Sequence, residues 1–155
     1  MFCRNDFDEF IQIESNRLQL PFASYRGLYY ICYPQHAFRV PDGEESIRIS
    51  RAPKAEGDNG LRFWIAAEQL ECWREPSRLL DYLSGGYFEP IAEAPFNELA
   101  AEHCSGLIVP PELPLKSGST FLGGLLMYSM KTEFFVSAIA EYEDEFIHFA
   151  WETAA

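Results

Sequence analysis

An α+β fold is what this sequence predicts, as one domain over residues 1–155 with two or three helices packed on a mostly antiparallel sheet. Three observations carry that expectation. The last third holds three β-rich runs joined by short polar turns. Upstream, two apolar segments carry proline at the start and glycine just past the end, the punctuation of helices. Hydrophobic residues make up 48% of a 155-residue chain, enough to fill one core and too many for a disordered acidic tail.

Near the N-terminus, Asp6 and Glu9 have capping-box spacing, and Phe7, Phe10 and Ile11 recur at helical intervals. A helix over Phe7–Arg17 is expected, ended by Leu20-Pro21. Leu28–Tyr33 is aromatic and β-branched between Gly27 and Pro34, so it reads as a strand. Phe38–Val40 and Ser46–Arg51 flank Pro41-Asp42-Gly43 and suggest a hairpin. Ala52–Gly60 is polar and rich in breakers, hence a loop, and Leu61–Ile65 reads as a further strand.

Pro76, followed by Leu79, Leu80 and Leu83 and then Gly85-Gly86, predicts one helix; Pro95, Phe96, Leu99, Ala100 and His103 before Gly106 predict another. Phe121–Lys131, Glu133–Glu141 and Glu145–Glu152 read as three antiparallel strands, the last two joined by an acidic turn. In the first of them both faces are apolar, so it should be covered on both sides. In the last, Ile147, Phe149 and Trp151 share one face while Phe146, His148 and Glu152 share the other.

Charge is the most unusual property of the chain. Its 24 acidic and 12 basic residues give a net charge of −12, and from Leu79 onward 12 acidic residues meet only Lys116 and Lys131. Such a field attracts cationic partners and repels nucleic acid and anionic membrane. Any stripe of Arg17, Arg26, Arg39, Arg48 and Arg51 would have to act within that opposing field. The apolar runs fall short of the roughly 20 residues that span a bilayer. The N-terminus lacks the pattern of a secretory signal, and Cys3, Cys32, Cys72 and Cys104 form no CxxC pair, so reduced thiols in the cytoplasm are expected.

No motif names a reaction. His103 and Cys104 are adjacent on a predicted helix and point about 100° apart, so they do not share a proton. A nucleophilic centre would need Cys104 or Cys32 to meet His36 or His148 from elsewhere in the fold. GxSxG, HExxH, Walker A and GxGxxG are all missing. No catalytic, cofactor-binding or metal-ligating residue is therefore assigned. The densest charged cluster is Glu141-Tyr142-Glu143-Asp144-Glu145, whose spacing does not suit a calcium loop. It is either a solvated turn that discourages edge-to-edge aggregation or a surface that docks on a basic partner.

In its profile the chain resembles the immunity proteins encoded beside bacterial secreted or polymorphic toxins. The resemblance rests on the acidic second half, the Glu141–Glu145 tip, and Tyr87, Phe88 and Trp151 as exposed-looking aromatics. It implies a protein-binding inhibitor that neutralises a cognate toxin by occluding its active site. The residues assigned to partner binding are Glu141, Glu143, Asp144, Glu145, Asp81, Glu89, Glu93 and Trp151. Two alternatives are an adaptor or chaperone for a secreted effector, with an apolar patch near Leu125–Met130, and a small enzyme or ligand-binding domain with a Cys/His centre.

Overall fold

The computed structural model describes residues 1–15, 24–70, 85–128 and 134–153. They form an α+β domain built on a six-stranded, fully antiparallel sheet. In chain order the elements are α1 (Arg4–Ser15), β1 (Tyr29–Tyr33), β2 (Glu45–Pro53), α2 (Leu61–Glu68), β3 (Tyr87–Pro90), α3 (Glu93–Cys104), β4 (Phe121–Tyr128), β5 (Phe135–Tyr142) and β6 (Glu145–Thr153). The strands lie in the order β1-β2-β6-β5-β4-β3. The C-terminal strand is thereby inserted between the N-terminal hairpin and the rest of the sheet. The expected helix at Pro76–Leu83 lies outside the described residues.

Both faces of the sheet are covered. On one side Phe2, Phe7, Phe63, Trp64 and Ile65 from α1, α2 and the N-terminus pack on Leu125, Met127, Ile139 and Phe146. On the other, Phe96, Ala100 and Cys104 of α3, with Leu107 and Leu115 of the following loop, pack on Ile47, Ile49, Ala138, Ala140, Ile147 and Phe149. Strands β5 and β6 run through the middle and are buried on both faces, which explains their near-continuous apolar sequence. The parity expected for β6 is the one observed, with Phe146 and His148 on the α2 side and Ile147, Phe149 and Trp151 on the α3 side.

Local departures from expectation have local causes. The first helix starts earlier than Phe7, because Asp6 sits in its first turn and accepts the Cys3 backbone N–H at 2.9 Å. That is the acidic half of a capping box, one turn N-terminal to the predicted position. Leu61–Ile65 is helical, not extended. Asn59 Oδ1 accepts the Leu61 N–H at 3.1 Å and Asp58 Oδ1 accepts the Gly60 N–H at 2.9 Å, which turns the chain into α2. Every residue of that helix but Arg62 is buried, so no amphipathic period betrays it. Phe38 bridges Leu107 instead of pairing with β2, whose hairpin partner is β1. Tyr87–Pro90, too short to signal itself, forms the edge strand β3.

Gly60 is the tightest of these joints. Its φ is +87°, and a Cβ there would stand 3.1 Å from the Phe146 ring and 3.2 Å from the Met1 side chain. Gly60→Ala should therefore cost about 1–3 kcal/mol in urea unfolding, through backbone strain and crowding together. A change below a few tenths would mean that the turn into α2 does not depend on this conformation.

Candidate functional site

The acidic hairpin tip is the first place to look, and it is internally compensated. Glu141 is buried on the α2 side of the sheet, where Lys54 Nζ approaches to 2.6 Å and the Met1 amino group to 3.2 Å. Glu145 meets Arg51 at 3.0 Å and Lys116 at 3.1 Å. Asp144 takes Lys116 at 2.8 Å and the Ser119 hydroxyl at 2.8 Å, and the Lys116 hydrogen bond first, then Ser119, holds its carboxyl below the ordinary value. Only Glu143 projects without an ion pair among the described residues. The tip ties β5–β6 to the loops on both sides.

Trp151 and Phe88 are not the exposed anchors that the sequence suggested. The Trp151 indole N–H donates to Glu45 Oε1 at 2.9 Å, and its ring lies 4.4 Å from the His103 imidazole. Phe88 is packed against Phe2, Phe7 and Trp64. Tyr87 is exposed, stacked on Tyr128. Asp81 lies outside the described residues. Of the patch expected near Leu125–Met130, Leu125 and Met127 are core residues, and Ser129 and Met130 lie outside the described residues.

Glu89 and Glu93 belong to a different surface. From Tyr87 to Glu112 the sequence contains Glu89, Glu93, Glu98, Glu102 and Glu112, and no Lys or Arg. Helix α3 buries Phe96, Ala100 and Cys104, so Glu98 and Glu102, four residues apart, share its exposed side. Glu93 accepts the Tyr142 hydroxyl at 3.5 Å, and burial, followed by the Glu93 charge, pushes that phenol up to about 12. Among the described residues none of these five carboxylates forms an ion pair. The α3 layer is thus acidic without local compensation, and exposed Ile108, Val109 and Leu113 border it.

A buried polar knot lies on the opposite face. Ser137 of β5, His148 of β6 and Glu68 of α2 converge beside Arg48 and Trp64. The Ser137 hydroxyl donates to Glu68 Oε1 at 2.6 Å and accepts the Trp64 indole N–H at 3.3 Å. His148 Nε2 is 2.9 Å from both Ser137 Oγ and Glu68 Oε1. One hydroxyl has one proton, and it is committed to Glu68, so hydrogen-bond accounting makes Nε2 the protonated nitrogen.

This is not a nucleophilic triad despite its composition. In such a triad the imidazole addresses serine and carboxylate through opposite nitrogens. Here one nitrogen faces both, and the serine proton already rests on the acid. All three side chains are buried, so substrate has no approach. Burial pulls the Glu68 carboxyl upward. Hydrogen bonding and charge from His148, with Ser137 and Arg48, outweigh it and hold the group below its ordinary value.

Cys104 is not an activated thiol. Burial pushes the Cys104 thiol up to about 11, the reverse of what a nucleophile needs. Cys3 and Cys32 are exposed, and Cys72 lies outside the described residues. No group of three or more His, Cys, Asp or Glu among the described residues is placed to hold a metal ion. A depression of about 560 Å³ beside α1 is lined by Asp6, Glu9, Glu56, Asp58 and Arg62, and it contains no Cys, His or Ser. No helix among the described residues is long and apolar enough to cross a membrane. Comparison with known proteins found no matching family model, no matching curated protein and no matching solved structure.

Two outcomes follow. A carboxyl depressed in the fold stabilises it above the unfolded value, near 4.5, and that contribution is lost as pH falls through the lower folded value. Glu68→Gln should cost about 1–3 kcal/mol at neutral pH and flatten the acid limb of stability against pH. An acid limb as steep as that of the parent chain would remove Glu68 from this role. In peptide mapping after alkylation at neutral pH, Cys3 and Cys32 should label readily and Cys104 only on unfolding. Rapid labelling of Cys104 in the folded protein would contradict its burial.

Proposed function

We propose that this chain is a cytoplasmic inhibitor protein of the immunity type, which neutralises a cognate bacterial toxin by covering its active site. Its acidic α3 layer docks on a basic surface of that toxin. The observation that carries the reading is the run of five carboxylates from Glu89 to Glu112 with no Lys or Arg among them. Compensated charges, like those at the hairpin tip, cancel at a distance, whereas uncompensated ones project a field that steers encounter. Ile108 and Val109, at 58% and 75% exposure, add apolar area beside it that a partner would bury. The electrostatic contribution acts on association rate first, and on which partners are rejected.

The test uses the product of the neighbouring reading frame as toxin. Co-expression with this chain should restore growth, and the purified pair should form a 1:1 complex whose association slows with added salt. The triple reversal Glu89→Lys, Glu98→Lys and Glu102→Lys should lower the association rate by about tenfold or more at low salt. Reversal at Glu143 alone should have a smaller effect. Protection lost without any change in association rate or salt dependence would sink the electrostatic reading. Absence of a complex with that product would sink inhibition itself.

A further inference from the structure

One titratable side chain joins the acidic layer to the sheet beneath it. His103 stands in the last turn of α3 beside the exposed Glu102, and is itself half-buried. Its imidazole lies on the Trp151 indole of β6, with ring centroids 4.4 Å apart and planes 31° from parallel. The same indole donates its N–H to Glu45 of β2 at 2.9 Å. The Phe149 ring is the next aromatic neighbour, at 6.3 Å. Among the described residues neither imidazole nitrogen has a hydrogen-bond partner, so the ring can take up a proton without breaking a bond.

The groups facing His103 decide what a proton does there. Burial disfavours the imidazolium and holds it below its ordinary value, against the opposing charges of Glu102 and then Glu45. Glu102 comes from its own helix and Glu45 from β2, whereas β6 contributes only the uncharged rings of Trp151 and Phe149. The adjacent Cys104 thiol is pushed up to about 11 by burial, and the Tyr33 phenol of β1, packed on the same core, is raised as well. Both stay neutral at physiological pH. The face of an indole and the carbonyl end of a helix each favour a cation. A proton on His103 is therefore met by two carboxylates and a ring face at mildly acid pH.

We propose that His103 is a proton switch on the α3 surface, where a proton on its imidazole and a basic partner docked on α3 oppose one another. The switch rests on the reading of α3 as the inhibitor's docking surface. A lysine or arginine that reaches Glu102 takes up the charge that otherwise stabilises the imidazolium. Covering the exposed part of the ring adds desolvation of the same sign. Both lower the protonation of His103 in the complex, and by reciprocity a proton weakens the complex. Binding is then at full strength while the imidazole is neutral, and it declines as pH falls through the free chain's value, which lies below 6.5.

The free chain is titrated first by NMR, following the His103 imidazole and the Trp151 indole N–H. In the parent chain both should titrate together between about pH 7.5 and about pH 5, and the Trp151 signal should stay still in His103→Gln. The dissociation constant for the product of the neighbouring reading frame is then measured at both ends of that range. It should rise on acidification by at least about threefold more in the parent chain than in His103→Gln, the effect of about half a unit between free and bound imidazole. Glu102→Gln should shrink that excess. If the product forms no complex, the inhibitor reading fails, and hexalysine, which meets the same carboxylates, takes its place with the same expected outcomes. An equal pH response in parent and His103→Gln would overturn the switch. So would tighter binding at the acid end, an excess unchanged in Glu102→Gln, or a His103 imidazole that does not titrate in this range.

Discussion

The central stretches of β5 and β6 have no solvent-facing side, and most of the architecture answers to that constraint. A polar side chain in either strand has to find its partner inside the protein, or the fold loses the full cost of desolvating it. Ser137, Glu141 and His148 are the polar residues so buried; Lys54 and the Met1 amino group meet Glu141, and α2 supplies what the other two need. Trp64 and Glu68 are one helical turn apart and converge on the same serine oxygen from above. A helix of eight residues has little stability of its own. Buried almost all round, it is located by two directional hydrogen bonds that an apolar contact would not provide. A constellation resembling catalytic machinery therefore acts as a clamp between helix and sheet.

Charge follows the same division between inside and outside. Glu141 and Glu145 lie on adjacent central strands, and their partners come from the loops that close over the sheet, Lys54 on one side and Lys116 on the other. These pairs hold those loops and cost the molecule most of the tip's outward field. Among the described residues the carboxylates of the α3 layer have no such neighbours. The surplus of negative charge is therefore concentrated where a helix, not a hairpin, presents it.

Much of the fold was legible because period and punctuation agreed. The alternation through Ile147, Phe149 and Trp151 fixes β6, and Pro95 with Gly106 brackets α3. Leu61–Ile65 misled for a physical reason: a segment buried on all sides has no polar face, so strand and helix give the same apolar run. Its helical sense comes from Asp58 and Asn59, turn residues that looked like ordinary loop. The hairpin tip misled differently. Its carboxylates are dense in sequence, but Arg51, Lys54 and Lys116 come from segments that no local reading brings near them. The Glu68–Ser137–His148 knot was invisible for the same cause, since its members meet only once β6 has inserted beside β5. A signal did exist in the placement of His148 between apolar neighbours on both sides, which demands a buried partner.

Covering both faces of a sheet leaves two kinds of surface for recognition, the outer side of the covering layers and the edges. In this molecule the two differ in sign and in chemistry. The α3 layer is acidic and offers side chains, with apolar residues at its border. The β1 edge is uncharged and is flanked in sequence by the exposed Arg26 and Arg39. β3 shares the acidic character of the α3 layer and is closed to strand addition by its own proline. Inserting β6 beside β2 leaves β1 at the rim, and the chain that follows β1 turns back onto the end of α3, where Phe38 bridges Leu107 and the Arg39 N–H donates to the Gly106 carbonyl at 2.9 Å.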